Sequence, residues 1–195
     1  MTATILAIDS AIGISSVAIW HGRKVAVYLE DRESTMQSAR LMPLVEAALA
    51  QAGLSYGDIT RVAATVGPGS FTGIRIGLAA ARGIAFAAGI PCVGYTTLEV
   101  MHAAGGELCI LNAGKGEVFY QVFGENATEP AIGKLDDILA RYPNAIIASS
   151  VSPAAITHPR ADALARLAAT HPENAVAPSP FYIRPPDAKP AAQFS

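Results

Sequence analysis

The sequence predicts an α/β fold in which helices cover a mixed β-sheet, followed by a second and shorter copy of the same plan. Three apolar or alternating runs open the chain, which indicates antiparallel strands. Helical and strand-like segments then alternate, as they do where helices join parallel strands. Of the 195 residues, 51% are hydrophobic and 15% are charged, so a sizeable core is expected rather than disorder.

The first three strands are predicted at residues 4–8, 15–20 and 24–30, and His21-Gly22 suits a tight hairpin between the last two. A helix follows, because apolar residues recur there at the spacing of one helix face. That stripe consists of Leu41, Leu44, Val45, Ala48 and Leu49. Gly53 is a suitable end for this helix.

The rest of the first lobe is predicted as strand 61–66, a tight loop at 67–73, helix 74–88, strand 91–95 and helix 97–104. The second copy has predicted strands at 107–112, 117–123 and 145–148, with helices at 135–141 and 162–169. A Pro-rich extended tail begins at Pro178. The predicted division is therefore a first lobe at 1–104 and a shortened second lobe with the C-terminal tail at 105–195.

The charge pattern argues against a protein that binds nucleic acid by itself. The chain has 14 Lys+Arg and 16 Asp+Glu, a net charge of -2, and its basic residues form no stripe. Any contact with RNA is therefore expected to depend on a partner. Cys92 and Cys109 form no CxxC pair and suit buried cytosolic thiols, and the N-terminus does not have the pattern of a signal peptide. A cytoplasmic protein without a membrane span is predicted.

The residues do not assemble a recognisable catalytic or metal centre. The four histidines are His21, His102, His158 and His171, and none has a second histidine three or four positions away. The sequence contains no HExxH helix, no G-x-S-x-G elbow and no P-loop lysine. No catalytic residue, metal ion or cofactor is therefore predicted.

Two segments leave a binding role open. Asp9 and Ser10 end the first strand, where a carboxylate and a hydroxyl either hold a hydrated metal and phosphate or cap a turn. The glycines of loop 67–73 and the helix that follows it could attract an anion. Because no basic residue lies inside that loop, a rigid turn is the favoured interpretation.

The helix after this loop carries a row of small residues spaced four apart, namely Gly73, Gly77, Ala81, Ala85 and Gly89. Such a row allows another backbone to come close. The neighbour is either this chain's own sheet or a partner helix, and the pattern does not decide between them.

Four segments together resemble the bacterial TsaB (YeaZ) family. They are residues 5–10 (ILAIDS), 67–77 (GPGSFTGIRIG), 112–120 (NAGKGEVFY) and 181–184 (FYIR). The segment at 67–77 is the most specific, and the similarity runs from Thr4 to Arg184. The resemblance implies an actin/Hsp70/sugar-kinase-like (RNase H-like) fold of two related lobes, the second one shortened.

The resemblance also implies a function. Family members are non-catalytic scaffold or activator subunits in the formation of N6-threonylcarbamoyladenosine at position 37 of tRNA. They pair with the catalytic subunit TsaD, a TsaE-like ATPase joins them, and tRNA is reached through the complex. A homodimer is also expected. The alternative is an ATP-binding enzyme of the same fold that uses Asp9 at a metal site.

The family pairs with TsaD through two first-lobe helices, which correspond to residues 37–52 and 73–88 here. The residues predicted to form these partner-binding faces are Leu41, Leu44, Val45, Ala48, Leu49, Gly73, Arg75, Gly77 and Ala81. Asp9 and Ser10 are the candidates for nucleotide binding.

Overall fold

The structure is a computed structural model that describes residues 3–151 and 153–183. Its first sheet opens with three antiparallel strands, β1 (Ile5–Asp9), β2 (Ser15–His21) and β3 (Lys24–Asp31). Strands β4 (Arg61–Thr65) and β5 (Cys92–Tyr95) extend it in parallel with β1, in the order β3-β2-β1-β4-β5. The mixed sheet that the sequence predicts is therefore present.

Strand β1 is apolar without alternation up to Asp9 because helices cover both faces of the sheet. Leu6 and Ile8 face one core, and helices α1 (Gln37–Ala52) and α2 (Phe71–Ala88) cover that face of the sheet. Ile5 and Ala7 face a second core on the other side. Alternate side chains of β1 thus pack into two separate cores, one on each face of the sheet.

Local signals explain where the helices begin and end. Gly53 directly follows α1 and Gly89 directly follows α2, and each glycine terminates its helix in the left-handed conformation (φ 68 and 64). Ser70 caps α2 by accepting a hydrogen bond from the backbone N–H of Gly73, so α2 begins at Phe71, earlier than the predicted residue 74. Helix α3 (Thr97–Ala103) starts with a reciprocal capping box of Thr96 and Glu99.

The second sheet repeats the plan at smaller size, in the order β8-β7-β6-β9. It contains β6 (Leu108–Gly114), β7 (Glu117–Val122), β8 (Ala131–Lys134) and β9 (Ile147–Ser149), with helix α4 (Leu135–Arg141) before β9. Strand β8 was absent from the sequence prediction because its four residues have neither a polar–apolar alternation nor a fully buried side chain.

Helix α5 (Ala161–Thr170) returns to the first lobe, where it packs on β1 and β2. Val176 pairs with Gly94 of β5, and the backbone N–H of Phe181 donates to Val66 O at 2.7 Å. The predicted division at residue 104/105 therefore does not separate two independent cores. Residues 184–195, which include Arg184 of the family-like closing motif and most of the predicted tail, lie outside the described part.

The predicted fold class is confirmed. Two mixed sheets carry flanking helices, each sheet opens with an antiparallel three-strand unit, and the second is shorter. This arrangement brings the end of β1, the start of α2 and the turn after β6 to the junction of the two lobes.

Candidate functional site

A cleft of about 750 Å³ lies at the junction of the two lobes. None of the described residues that line it is charged. They are Ile12, Gly13, Ile14, Gln37, Gly69, Ser70, Thr72, Asn112, Gly114, Ser150 and Thr157. The cleft therefore offers hydroxyls, amides and backbone groups to whatever enters it.

Asp9, the first of the candidate nucleotide-binding residues, is fully buried beside this cleft and does not line it. Thr65 Oγ1 donates to Asp9 Oδ1 at 2.6 Å, and the backbone N–H of Ala11 approaches the same oxygen at 3.4 Å. Oδ2 has no hydrogen-bond partner among the described atoms. Burial raises the pKa of Asp9 to about 7, against the opposing hydrogen bonds from Thr65 and Ala11.

This environment does not fit a metal ion. A hydrated Mg²⁺ needs an open, ionised carboxylate, commonly with further oxygen ligands. Asp9 is enclosed, and in the described part of the chain no group of three or more His, Cys, Asp or Glu residues lies close enough together to hold a metal.

Ser10 makes a contact within the fold. Its Oγ donates to the backbone oxygen of Gly73 at 2.8 Å. A Cβ added at Gly73 would lie 2.1 Å from Ser10 O, and one at Gly77 would lie 2.5 Å from Ser10 Oγ. The first half of the small row on α2 therefore faces β1 and the residue after it, which answers the question that the sequence left open.

The loop at 67–73 is held by its own chain. Ser70 N–H donates to Ala11 O at 2.6 Å, and Gly67 O accepts from the N–H of Thr97 at 2.8 Å. Gly67 has φ 114, and a Cβ there would lie 2.6 Å from Phe181 O. These contacts support the interpretation as a rigid turn that sets the direction of α2.

The structure buries most of the residues predicted to contact a partner. Leu41, Val45, Ala48 and Leu49 are buried in the chain's own core, and Leu44 is half-buried against it. Gly73, Gly77 and Ala81 are also buried, whereas Arg75 is exposed and places its guanidinium 3.5 Å from the ring centroid of Phe71. The widest apolar stripe of each helix covers the sheet, so a partner could meet only the opposite faces.

A second apolar feature, which we call the α1–α2 groove, has a volume of about 710 Å³ and lies mainly between α2 and residues 56–59, with Met42 as its lining residue from α1. It is lined by Met42, Tyr56, Gly57, Ile59, Ala79, Ala80, Gly83, Ile84, Ala87, Ala88 and Ile90. Phe86, also on helix α2, is 91% exposed to solvent. Sequence reasoning missed these residues, although Met42 and Phe86 are large apolar side chains outside the main stripes.

Helix α2 is also long and apolar enough, by length and composition alone, to cross a membrane. Its contacts with β4 and β1 place one face in the core, and Arg75 and Arg82 are exposed on the other. These features suit the core helix of a globular fold, which passes the same test.

Comparisons with known proteins place the chain in a family. Residues 33–167 match the TsaD family, described as tRNA N6-adenosine threonylcarbamoyltransferase. The tRNA threonylcarbamoyladenosine biosynthesis protein TsaB of Escherichia coli is 39% identical over 125 residues, which is 60% of this chain and 53% of that protein. The chain thus spans about half the length of this curated relative.

Other relatives are matched over nearly their whole length. An uncharacterized Mycobacterium bovis protein, Mb3455c, is 32% identical over 97% of this chain and 95% of its own length. A Pseudomonas aeruginosa structure described as similar to peptidase YEAZ shares the fold, with a TM-score of 0.78, 22% identity, and coverage of 93% of this chain and 100% of that one. The chain therefore belongs to the family that the TsaD model describes, and its named relatives identify it as one of the TsaB (YeaZ) proteins.

Proposed function

We propose that this chain is a cytoplasmic, non-catalytic scaffold or activator subunit in the formation of N6-threonylcarbamoyladenosine at position 37 of tRNA. It pairs with a TsaD-type catalytic subunit, and a TsaE-like ATPase joins the complex. Membership in the TsaB family supports this proposal, since relatives carry the name of that biosynthetic step. The net charge of -2 supports contact with tRNA through the complex rather than by this chain alone.

The α1–α2 groove is the observation that carries the proposed pairing. A large exposed apolar surface on a globular protein commonly marks a site of association. Ala79 and Gly83 lie one helical turn apart in the groove, and a Cβ at Gly83 would meet nothing within 4 Å. A partner helix could therefore approach the backbone of α2 closely there.

The composition of the surroundings resembles an interface with an apolar centre and a polar rim. Met42 and the small residues occupy the groove, while Arg75, Arg82 and Glu46 are exposed on the same two helices. Two helices of a partner laid against α1 and α2 would form a four-helix bundle. We propose that the same surface also supports a weak homodimer, which the partner displaces.

The non-catalytic part of the proposal is supported by the two candidate residues at the end of β1. Asp9 is buried and accepts a hydrogen bond from Thr65, and the Ser10 hydroxyl donates a hydrogen bond to Gly73 O. Each side chain thus has a role inside the fold, and the groove that offers free surface is apolar.

Two groove substitutions test the pairing, Met42→Asp and Ala79→Arg. Each puts a charge into an apolar contact without touching the buried stripe, so affinity for the TsaD homologue of the same organism should fall roughly tenfold or more. Isothermal titration calorimetry measures the affinity, and circular dichroism checks the fold.

Ile146→Asp is the matched control, because Ile146 is a large exposed apolar residue on the second lobe. It should bind the partner like the unchanged protein. Normal binding by both groove variants would exclude the groove as the interface.

A further inference from the structure

Strand β3 ends in two adjacent carboxylates, Glu30 and Asp31, that face opposite sides of the sheet. Side chains alternate along a strand, so neighbouring residues point to opposite faces. Glu30 lies on the side of α5, and Asp31 lies on the side of α1. β3 is an edge strand of its sheet, and at its end these two residues contact the segments that cover the two opposite faces of the sheet.

Glu30 is the centre of a network on the α5 side. Its Oε2 accepts from Tyr28 OH at 2.5 Å and from His158 Nε2 at 2.7 Å, and its Oε1 accepts from Arg32 Nε at 2.6 Å. The side chains of His158 and Glu30 are only 8% and 16% exposed. Breaking a largely buried pair of this kind is costly, because the remaining group loses its partner.

His158 connects this network to the cleft between the lobes. The preceding residue, Thr157, lines the cleft, and its Oγ1 lies 3.0 Å from His158 Nδ1. Two residues further, Arg160 lies over the ring of Tyr28 at 4.7 Å and makes two hydrogen bonds to Asp162 in the first turn of α5. One wall of the cleft and the start of α5 are therefore fastened to β3.

Asp31 makes the connection on the other side. It forms an ion pair with Arg40 of α1 and accepts from the N–H of Glu33 at 3.0 Å. One turn before Arg40, Gln37 lines the cleft, and its Nε2 donates to Ser10 O and to Ser15 Oγ at 3.3 and 3.2 Å. The start of α1 is thus tied to β3 and, through Gln37, to the residues that flank the cleft-lining segment 12–14.

We propose that the end of β3 mechanically couples the cleft to α1. Glu30 and His158 form the first arm, which holds the cleft wall that precedes α5. Asp31 and Arg40 form the second arm, which holds the start of α1. Loosening one arm shifts the strand end and loosens the other arm. The coupling lies outside the α1–α2 groove and is tested on the isolated chain, so it does not depend on the proposed partner.

Amide hydrogen exchange at residues 161–166 and 41–45 tests the coupling. These segments report on the two arms, and within 161–166 the readout is the amides of residues 164–166, since first-turn amides of either helix have no intrahelical acceptor. Glu30→Gln and His158→Gln should each raise exchange in both segments roughly tenfold or more, while β6 keeps its rate. His171→Gln, the control, removes an exposed pair with Glu173 and should change neither segment.

A double-mutant cycle isolates the transmission. In an Asp31→Asn background, Glu30→Gln should still loosen residues 161–166 and should no longer add to exchange at 41–45. An effect confined to 161–166 in the single variants, or an equal rise in β6, would overturn the coupling.

If Glu30→Gln or His158→Gln does not fold, Tyr28→Phe takes its place, because it removes one donor from the same carboxylate. Unchanged exchange at 41–45 in that variant would equally overturn the proposal.

Discussion

Ser10 and Gly77 are in such close contact that a Cβ on the glycine would lie 2.5 Å from the serine Oγ. The serine hydroxyl at the same time donates to Gly73 O at 2.8 Å. The residue after β1 is thereby seated against the first turns of α2. The glycines at 73 and 77 are required by this approach, and they do not form an open surface.

Gly77→Leu should destabilise the monomer, by about 1–3 kcal/mol, because the new side chain overpacks the space that Ser10 occupies. Urea unfolding monitored by circular dichroism measures the change. The matched variant is Gly83→Ala, in the same helix, where a Cβ has open space. It should raise stability by about 0.5–1 kcal/mol through the better helix propensity of alanine. Equal stability of Gly77→Leu and the unchanged protein would contradict the close packing.

Leu44→Asp should lower the stability of the isolated chain. The family resemblance places Leu44 on a partner-binding face, where this change would leave a folded monomer and weaken association. The structure changes that expectation, because Leu44 is half-buried against the core and a carboxylate there loses solvation. Thermal melts of Leu44→Asp and Met42→Asp, compared side by side, should show the larger loss for Leu44→Asp. The opposite order would place Leu44 on the free surface.

Asp9 should make stability depend on pH in the direction opposite to an ion-paired carboxylate. The folded pKa of about 7 lies above the ordinary value of 3.8, so the folded state binds this proton more tightly than the unfolded state does. The resulting stabilisation is complete below pH 3.8 and is lost as the pH rises through about 7. The free energy of unfolding contributed by Asp9 falls by at most about 1.4 kcal/mol per pH unit.

The comparison with Asp9→Asn isolates this contribution, since asparagine keeps the shape and does not titrate. Urea unfolding at pH 5, 6, 7 and 8 should show the unchanged protein losing stability relative to the variant along the series. A constant difference between the two proteins would mean that Asp9 does not titrate in this range.

The isolated chain should bind tRNA only weakly. Few phosphates can be neutralised by a chain with 14 Lys+Arg and 16 Asp+Glu, so little counterion release drives binding. Fluorescence anisotropy with labelled tRNA at two salt concentrations measures both affinity and salt dependence. Tight binding that weakens steeply with salt would point instead to a basic surface assembled by the fold.

ATP with Mg²⁺ should not bind tightly to the isolated chain, because Asp9 is enclosed and the cleft lining carries no charge. Calorimetric titration of the nucleotide separates the scaffold from the alternative of an ATP-using enzyme. Saturable micromolar binding that Asp9→Asn abolishes would favour the enzyme.

Local patterns were sufficient to predict most elements of this protein. The stripe of α1, the terminal glycines of α1 and α2, and the apolar run of β1 each depend on neighbours within a few positions. Strand β8 was missed because four half-exposed residues in an edge strand have no such pattern. The motif segments additionally indicated the family, which the comparisons then confirmed.

Which neighbour each face meets was decided only by the tertiary structure. Periodicity shows that Leu41 and Val45 share a face, yet a sheet and a partner helix demand the same stripe. The return of α5 to the first sheet and the pairing of His158 with Glu30, 128 positions away, likewise leave no local trace. The sequence by itself determined the elements and the family, and the chain's path through space decided which surfaces were used inside the monomer. The reason is physical. Burial depends on contacts between segments that are distant in the sequence, whereas periodicity depends only on the geometry of a single helix or strand.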